Sequence, residues 1–202
     1  MSPDELERML RDGVLRDREL PPLAAVAADA GLLDVAYATL DSPLGALLVA
    51  VTPRGLVRLA YLDAGEREDD VLADLAARVS PRVLAAPGPV DDARRQLDDY
   101  FERRRTSFEL PIDWRLVHGF GRRVLRATAR IPYGGTSSYK QIAAQAGSPR
   151  GHRAAGNALG ANPIPIVVPC HRVLHTGGGL GGYGGGLERK LVLLEVEGSL
   201  SA

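Results

Sequence analysis

The only cysteine in the 202-residue chain closes an apolar run, Ile164-Pro165-Ile166-Val167-Val168-Pro169-Cys170, and is followed at once by His171 and Arg172. A thiolate is the nucleophile and a thiol is not. A neighbouring imidazole and guanidinium are surroundings of the kind that lower a cysteine pKa. The run predicts a thiol at the end of a buried segment, with Pro169 fixing its approach. Taken alone, a lone cysteine reads equally as a small buried apolar residue without chemistry. A second candidate is Glu197, at the C-terminal end of a segment in which Leu187, Leu191 and Leu194 stripe one helical face. The helix dipole disfavours an anion there, so the carboxylate either faces water or has a partner, and His171 is the candidate. Between them, Gly177 to Gly186 holds eight glycines in ten positions, broken by Leu180 and Tyr183. Such a stretch is a flexible linker or a loop whose backbone comes close to a ligand. In the second case Tyr183 is the aromatic wall of a pocket.

A third group of residues suits a polyanion. Ser138 caps a helix over Tyr139 to Ala146, with Gln141 completing a capping box, and Gly147 ends it. Ser148 and Pro149 read as the cap and first position of a second helix, which runs to about Leu159 or Gly160. Two short helices across a glycine-containing turn make a helix-turn-helix, a motif that also occurs as plain packing. The second helix is poor in long polar side chains able to read bases in a major groove. Its small residues Ala154, Ala155 and Gly156 let a backbone come close to a groove, and Arg153 is the exception among them. Charge is divided in the same sense. Residues 1–112 carry 14 Lys/Arg against 21 Asp/Glu, and residues 113–202 carry 11 against 4, within a net charge of zero. The basic second half either meets a polyanion or is a solvated face.

The elements that must position these groups read as follows. Ser2-Pro3-Asp4-Glu5 opens a helix, and a second runs from Pro21 or Pro22 to Ala30, so residues 1–34 form a helical N-terminal extension without an assigned function. Runs at Val35–Leu40, Ala46–Val51 and Leu56–Leu62, separated by Ser-Pro-Leu-Gly and Pro-Arg-Gly turns, predict an antiparallel meander. Helices fit Asp70–Val79 and Asp91–Glu102, and Phe108–Leu110 reads as a closing strand. Pro111 to Trp114 marks a boundary, which gives domains over 35–113 and 114–202. From Phe120 to Ile131 the pattern is helical, with Arg122, Arg123, Arg126 and Arg130 along it.

Composition is ordinary for a globular chain, at 45% hydrophobic and 25% charged residues. No apolar run approaches a membrane span, and the acidic start lacks a signal pattern. One cysteine excludes an internal disulfide and a cysteine-rich zinc site, and a free thiol suits a reducing compartment. The expectation is a cytoplasmic monomer, nucleoid-associated if bacterial, with no membrane contact, no metal and no cofactor.

The string Pro169-Cys170-His171-Arg172-Val173 resembles the active-site signature of the O6-alkylguanine-DNA alkyltransferases. The resemblance extends to Asn162-Pro163 before it and to Gly182-Tyr183-Gly184-Gly185-Gly186-Leu187-Glu188-Arg189-Lys190 and Glu197-Gly198 after it. It covers about Phe120 to Gly198 strongly and Ala36 to Leu110 more loosely. It implies an α+β fold, with a ribonuclease-H-like α/β domain that bears no catalytic residue, followed by a mostly helical, winged-helix-like domain. It implies direct repair of O6-alkylguanine in double-stranded DNA. The base is flipped out, Cys170 accepts the alkyl group irreversibly, and the protein acts once.

By the same resemblance, His171 takes the thiol proton through a water and Glu197 orients the imidazole. Asn162 supports the nucleophile segment. Tyr139 helps rotate the nucleotide and donates to the base, and Arg153 fills the vacated space in the duplex. The helix carrying Arg153, Ala154, Ala155 and Gly156 enters the minor groove. Pro165, Val173, Tyr183 and Gly184 line the base pocket. Some relatives hold zinc in the N-terminal domain, and this chain lacks the residues for it. It also departs from the family at Gly121, Leu125 and Gly135, where glutamine, tryptophan and an acidic residue are common. Those positions bear on packing and DNA contact. Two other readings are a cysteine-less type of damage-binding protein, against which Cys170 speaks, and a helix-turn-helix regulator, against which the lack of base-reading side chains speaks.

Overall fold

Burial on both faces organises the first sheet. In the computed structural model, which describes residues 33–62 and 66–199, strand β1 is Val35–Leu40, β2 is Leu47–Thr52 and β3 is Gly55–Tyr61. They form the expected antiparallel meander, with Tyr37 opposite Ala50 and Val49 opposite Leu59. Leu48 and Ala50 point to one face, where they join Val35, Val57, Ala60 and the helix residues Val71 and Leu75 in one cluster. Leu47 and Val49, of opposite parity, are buried as deeply on the other face. Each such side chain contributes roughly 1.5–3 kcal/mol. Helix α1 is Glu68–Arg78, and its first turn is all acidic, which suits the dipole. Helix α2 is Pro87–Phe101 and packs against β1 and β2. It starts earlier than the sequence pattern indicates, because Pro87 fits a first helical turn.

The closing strand is not Phe108–Leu110. That segment has no ladder: Glu109 N–H donates to the side chain of Gln96, and the Phe108 ring packs on Tyr100. The fourth strand is β4, Val83–Ala85, parallel to β1, which gives the sheet order β3-β2-β1-β4. Three residues between two prolines are too short to show alternation. The helices expected within residues 2–5 and 21–30 lie outside the described residues.

After a 3-10 turn at Trp114–Leu116 the chain becomes helical. Helix α3 is Gly119–Thr128, α4 is Tyr139–Gln145 and α5 is His152–Gly160, and the three pack on one another. The capping box of Ser138 and Gln141 is present. Ser148 and Pro149 do not start α5: its N-cap is Gly151, whose N–H donates back to the Ser148 carbonyl in a turn that delays the helix. Two short parallel strands, β5 (Ser137–Ser138) and β6 (Val173–Leu174), tie the start of α4 to the chain just beyond Cys170. Helix α6 is Leu187–Val196. Leu187 and Leu191 are exposed, and the buried face is Lys190, Leu193 and Leu194, so of the leucine stripe only Leu194 faces inward. The molecule is thus a mixed α+β protein, a sheet domain followed by a helical one.

Candidate active site

The segment that presents Cys170 is held by both domains. From the sheet domain, the N–H of Leu59 in β3 donates to the carbonyl of Pro163 at 2.9 Å. Within the segment, Ile166 is fully buried and has φ of +70°, a conformation that costs a β-branched residue about 1–3 kcal/mol. Asn162 clamps this strained turn. Its amide nitrogen donates to the Val168 carbonyl at 2.8 Å and to Cys170 Sγ at 3.1 Å, and its oxygen accepts from Ile164 N–H at 3.1 Å. Cys170 follows as the first residue of a 3-10 turn with His171 and Arg172.

The thiol is only 6% exposed, and burial pushes its pKa up to about 11; the Asn162 hydrogen bond and the charge of Lys190 oppose this without prevailing. The resting group is therefore a thiol, contrary to the expectation of a thiolate armed by its sequence neighbours. The reason is geometric. The Arg172 guanidinium turns away from sulfur: Nε and Nη2 each donate to Glu197 at 2.8 Å, and Nη1 donates to the Ile131 carbonyl at 2.6 Å.

Glu197 is the hub of the site. Its side chain is fully buried, and besides Arg172 it accepts at Oε1 from His171 Nε2 at 2.8 Å and from the Tyr100 hydroxyl at 2.6 Å. Burial acts to raise its pKa, but the bonds from His171, Arg172 and Tyr100 outweigh burial and hold it down at about 2. Burial also lowers the His171 pKa, with Glu197 opposing, so the imidazole is neutral. An ionised carboxylate can only accept, so the proton of the neutral ring is on Nε2. Nδ1 is then a lone pair, and it has no partner among the described residues. This is the arrangement of a general base oriented by a carboxylate.

Two cavities meet at Cys170. One, of about 480 Å³, is bordered by Tyr139, His152, Arg153, Gly156 and His175. The other, of about 200 Å³, is bordered by Arg58, Tyr61, Asn162 and Pro165. Tyr183 and Gly184 line both. The glycine-rich stretch lies against protein and is not a free linker. At Gly181, with φ of +66°, a Cβ would stand 2.5 Å from the Tyr139 hydroxyl, and at Gly185 it would stand 2.6 Å from the Tyr61 ring. Val173 lines neither cavity; it is fully buried, and its carbonyl accepts from Lys190 Nζ at 2.8 Å.

On α5, Arg153 and Ala154 are exposed and Gly156 is half-buried. Ala155 is fully buried and belongs to the inner face with Leu159, four residues on, so it packs the helix inward and cannot touch a groove. Among the departures, Leu125 is buried core, and a Cβ on Gly121 would stand 3.8 Å from Ala158 on α5.

Three residues of the site escape the sequence reading. Tyr61 and Tyr100 come from the sheet domain, where nothing marked them; Tyr61 and Tyr183 share a hydrogen bond of 2.9 Å between hydroxyls. Lys190 is fully buried on α6 and donates to the carbonyls of Val173 and Leu180. Burial lowers its pKa to about 8. Its sequence signals are its place at the end of the string Gly182 to Lys190 and a cation in register with Leu193 and Leu194.

Comparison with known proteins gives concordant results. Residues 35–114 match the family model described as 6-O-methylguanine DNA methyltransferase, ribonuclease-like domain, and residues 119–199 match the DNA binding domain of the same description. The methylated-DNA–protein-cysteine methyltransferase of Mycolicibacterium paratuberculosis is 43% identical over 163 residues, 81% of this chain and 92% of that protein. The human protein of the same name is 37% identical over 167 residues, 79% of each chain. Among solved structures, Mycobacterium tuberculosis OGT in complex with DNA superposes with a TM-score of 0.68 at 41% identity, covering 81% of this chain and 93% of that one.

Proposed function

The chain belongs to the 6-O-methylguanine DNA methyltransferase family, and from that premise we propose that Cys170 is the alkyl acceptor, with His171, Glu197, Asn162 and Tyr139 arranged around it. The protein is a DNA-binding enzyme that repairs O6-alkylguanine directly, by moving the alkyl group onto its own cysteine. The observation that carries the residue assignment is the placement of the only cysteine where a cavity bordered by α5 meets one bordered by β3, with the lone pair of a carboxylate-oriented histidine in the same 3-10 turn.

Base stacking hides O6 in a duplex, so the nucleotide is extruded before reaction. Arg153, exposed at the first turn of α5 beside Ala154, is suited to fill the gap. Tyr139 borders the same cavity, and its hydroxyl makes only a 3.4 Å contact with the Gly182 carbonyl, which an entering base can replace. The thiol proton passes by way of a water to His171 Nδ1, and the imidazolium so formed is stabilised by Glu197. Sulfur forms a bond to the alkyl carbon as the carbon–O6 bond breaks, and the electron pair goes to guanine, where a hydrogen bond from Tyr139 favours departure. The product is a thioether that water does not hydrolyse, so each molecule reacts once.

A thiol at a pKa of about 11 stays unreactive until a base and substrate are both in place. The pocket assignment covers Tyr183, Gly184 and Pro165, with Val173 behind them. The domains are assigned as 35–113 and 114–202, with the extension 1–34 before them. Among the described residues no helix is long and apolar enough to cross a membrane. A nucleophilic thiol that must stay reduced fits a monomer working in the cytoplasm, on the nucleoid if the cell is bacterial.

The assignment is tested with Cys170→Ala and Cys170→Ser. Both should lose transfer from an O6-methylguanine duplex and keep DNA binding. Transfer surviving in either variant places the acceptor elsewhere.

A further inference from the structure

Helix α2 belongs to the sheet domain, yet one of its side chains reaches the hub of the site. Tyr100, in the last turn of α2, is fully buried, and its ring packs among Phe101, Phe108 and Tyr133. Its hydroxyl donates at 2.6 Å to Oε1 of Glu197, the same oxygen that accepts from His171 Nε2 at 2.8 Å and from Arg172 Nη2 at 2.8 Å. Resting on the relay of Cys170, His171 and Glu197 described above, we propose that Tyr100 is a positioning residue of the transfer reaction: its hydroxyl takes up part of the charge on Glu197 Oε1 and thereby sets how tightly His171 holds a proton.

Donors that converge on one carboxylate oxygen compete for its charge. The Arg172 fork engages both oxygens, so without the tyrosine hydroxyl the carboxylate stays ionised and in place. Its charge is then shared between Arg172 and His171 alone, and the imidazolium becomes easier to form. The other groups around the pair do not substitute for the hydroxyl. Tyr133, from the loop after α3, donates to the Val196 carbonyl and lies under the Arg172 guanidinium. Lys190 on α6 donates to Val173 and Leu180. Tyr183, from the glycine-rich loop, sets its ring edge-on to the imidazole at 6.5 Å and shares its hydroxyl hydrogen bond with Tyr61. Cys170 accepts from Asn162. The arrangement also gives the sheet domain a part in the chemistry: α2 supplies a contact that the helical domain cannot make by itself.

The test uses the full-length protein with Tyr100→Phe, which keeps the ring and removes only the hydroxyl, and with 3-fluorotyrosine at position 100, which keeps the hydroxyl and makes it a stronger donor. Tyr133→Phe is the control, because it loses a bond to backbone only. Two quantities are read across pH: the titration of the His171 ring by nitrogen-15 NMR, and the single-turnover rate of transfer from an O6-methylguanine duplex. With Tyr100→Phe the His171 pKa and the acid limb of the rate should both rise, by roughly 0.5–1 unit. With fluorotyrosine both should fall, and with Tyr133→Phe neither should move. A His171 titration that stays put in Tyr100→Phe and in fluorotyrosine protein, with only thermal stability changed, makes Tyr100 a packing residue and overturns the proposal. The histidine titration needs no turnover. A wild-type protein that transferred nothing would count against the relay, while the titration would still decide the Tyr100 coupling.

Discussion

Replacing Glu197 by glutamine keeps the shape of the hub and removes its charge. In the native protein four hydrogen bonds end on this carboxylate, from Tyr100, from His171 and two from Arg172. An amide offers one acceptor and one donor group, so at least one of those donors faces another donor, and Arg172, 6% exposed, is left buried without a counter-charge. Removing one partner of a buried ion pair costs about 3–5 kcal/mol. The carboxyl pKa gives a second route to the size. It falls from 4.5 to about 2 on folding, and at ~1.4 kcal/mol per unit that is about 3 kcal/mol.

The sign follows from the direction of the shift. A carboxylate with a depressed folded pKa stabilises the protein fully above its unfolded value and loses that contribution as pH falls toward the folded one. Glu197→Gln should therefore be about 3–5 kcal/mol less stable than wild type at pH 7 in urea unfolding, a large part of the about 5–15 kcal/mol typical of a domain. The gap should narrow by roughly half or more at pH 3, where the native carboxylate is part-way through its linkage window. The transfer rate should fall by about 10²-fold or more as the imidazole loses its orienting charge. A cost under about 1 kcal/mol at pH 7, or a gap that does not change between pH 7 and pH 3, would refute the four-bond hub.

Two other outcomes follow from the same geometry. Arg153→Ala should slow repair in duplex DNA much more than reaction with free O6-benzylguanine, which needs no extrusion, and Arg153→Lys should restore binding but only part of the rate; equal slowing of both substrates would make Arg153 a support of the pocket. In the free protein, labelling of Cys170 by iodoacetamide should be slow at neutral pH and rise steadily toward pH 11, since burial holds the thiol protonated; a rate already saturated at pH 8 would show a thiolate at rest.

The local parts of this molecule were legible because their physics is local. The Ser138–Gln141 box and the short apolar runs and turns of β1, β2 and β3 depend on residues a few positions apart. The family was legible through the string of residues around Cys170. Most of what failed depended on contacts across the fold. Arg172 was read as a neighbour of the thiol because it is close in sequence, but a 3-10 turn sends the two side chains to different partners. Lys190 was overlooked because a buried lysine is paid for by two backbone carbonyls that no pattern announces. Ala155 was placed on the groove face with its small neighbours, although helical periodicity alone puts it with Leu159 on the inner face. Tyr61 and Tyr100 belong to a domain whose strands and helices show only packing, and their roles exist only where that domain meets the next.

The central claim is that the only thiol of the chain takes the alkyl group once and keeps it. Its most direct test is the intact mass of the wild-type protein after incubation with excess O6-methylguanine duplex, followed by peptide mapping. The account predicts a gain of one methyl group per molecule, located on Cys170, with unmodified guanine left in the DNA and no further turnover. A methyl group on any other residue, or repair of many lesions per molecule with the protein mass unchanged, would contradict it.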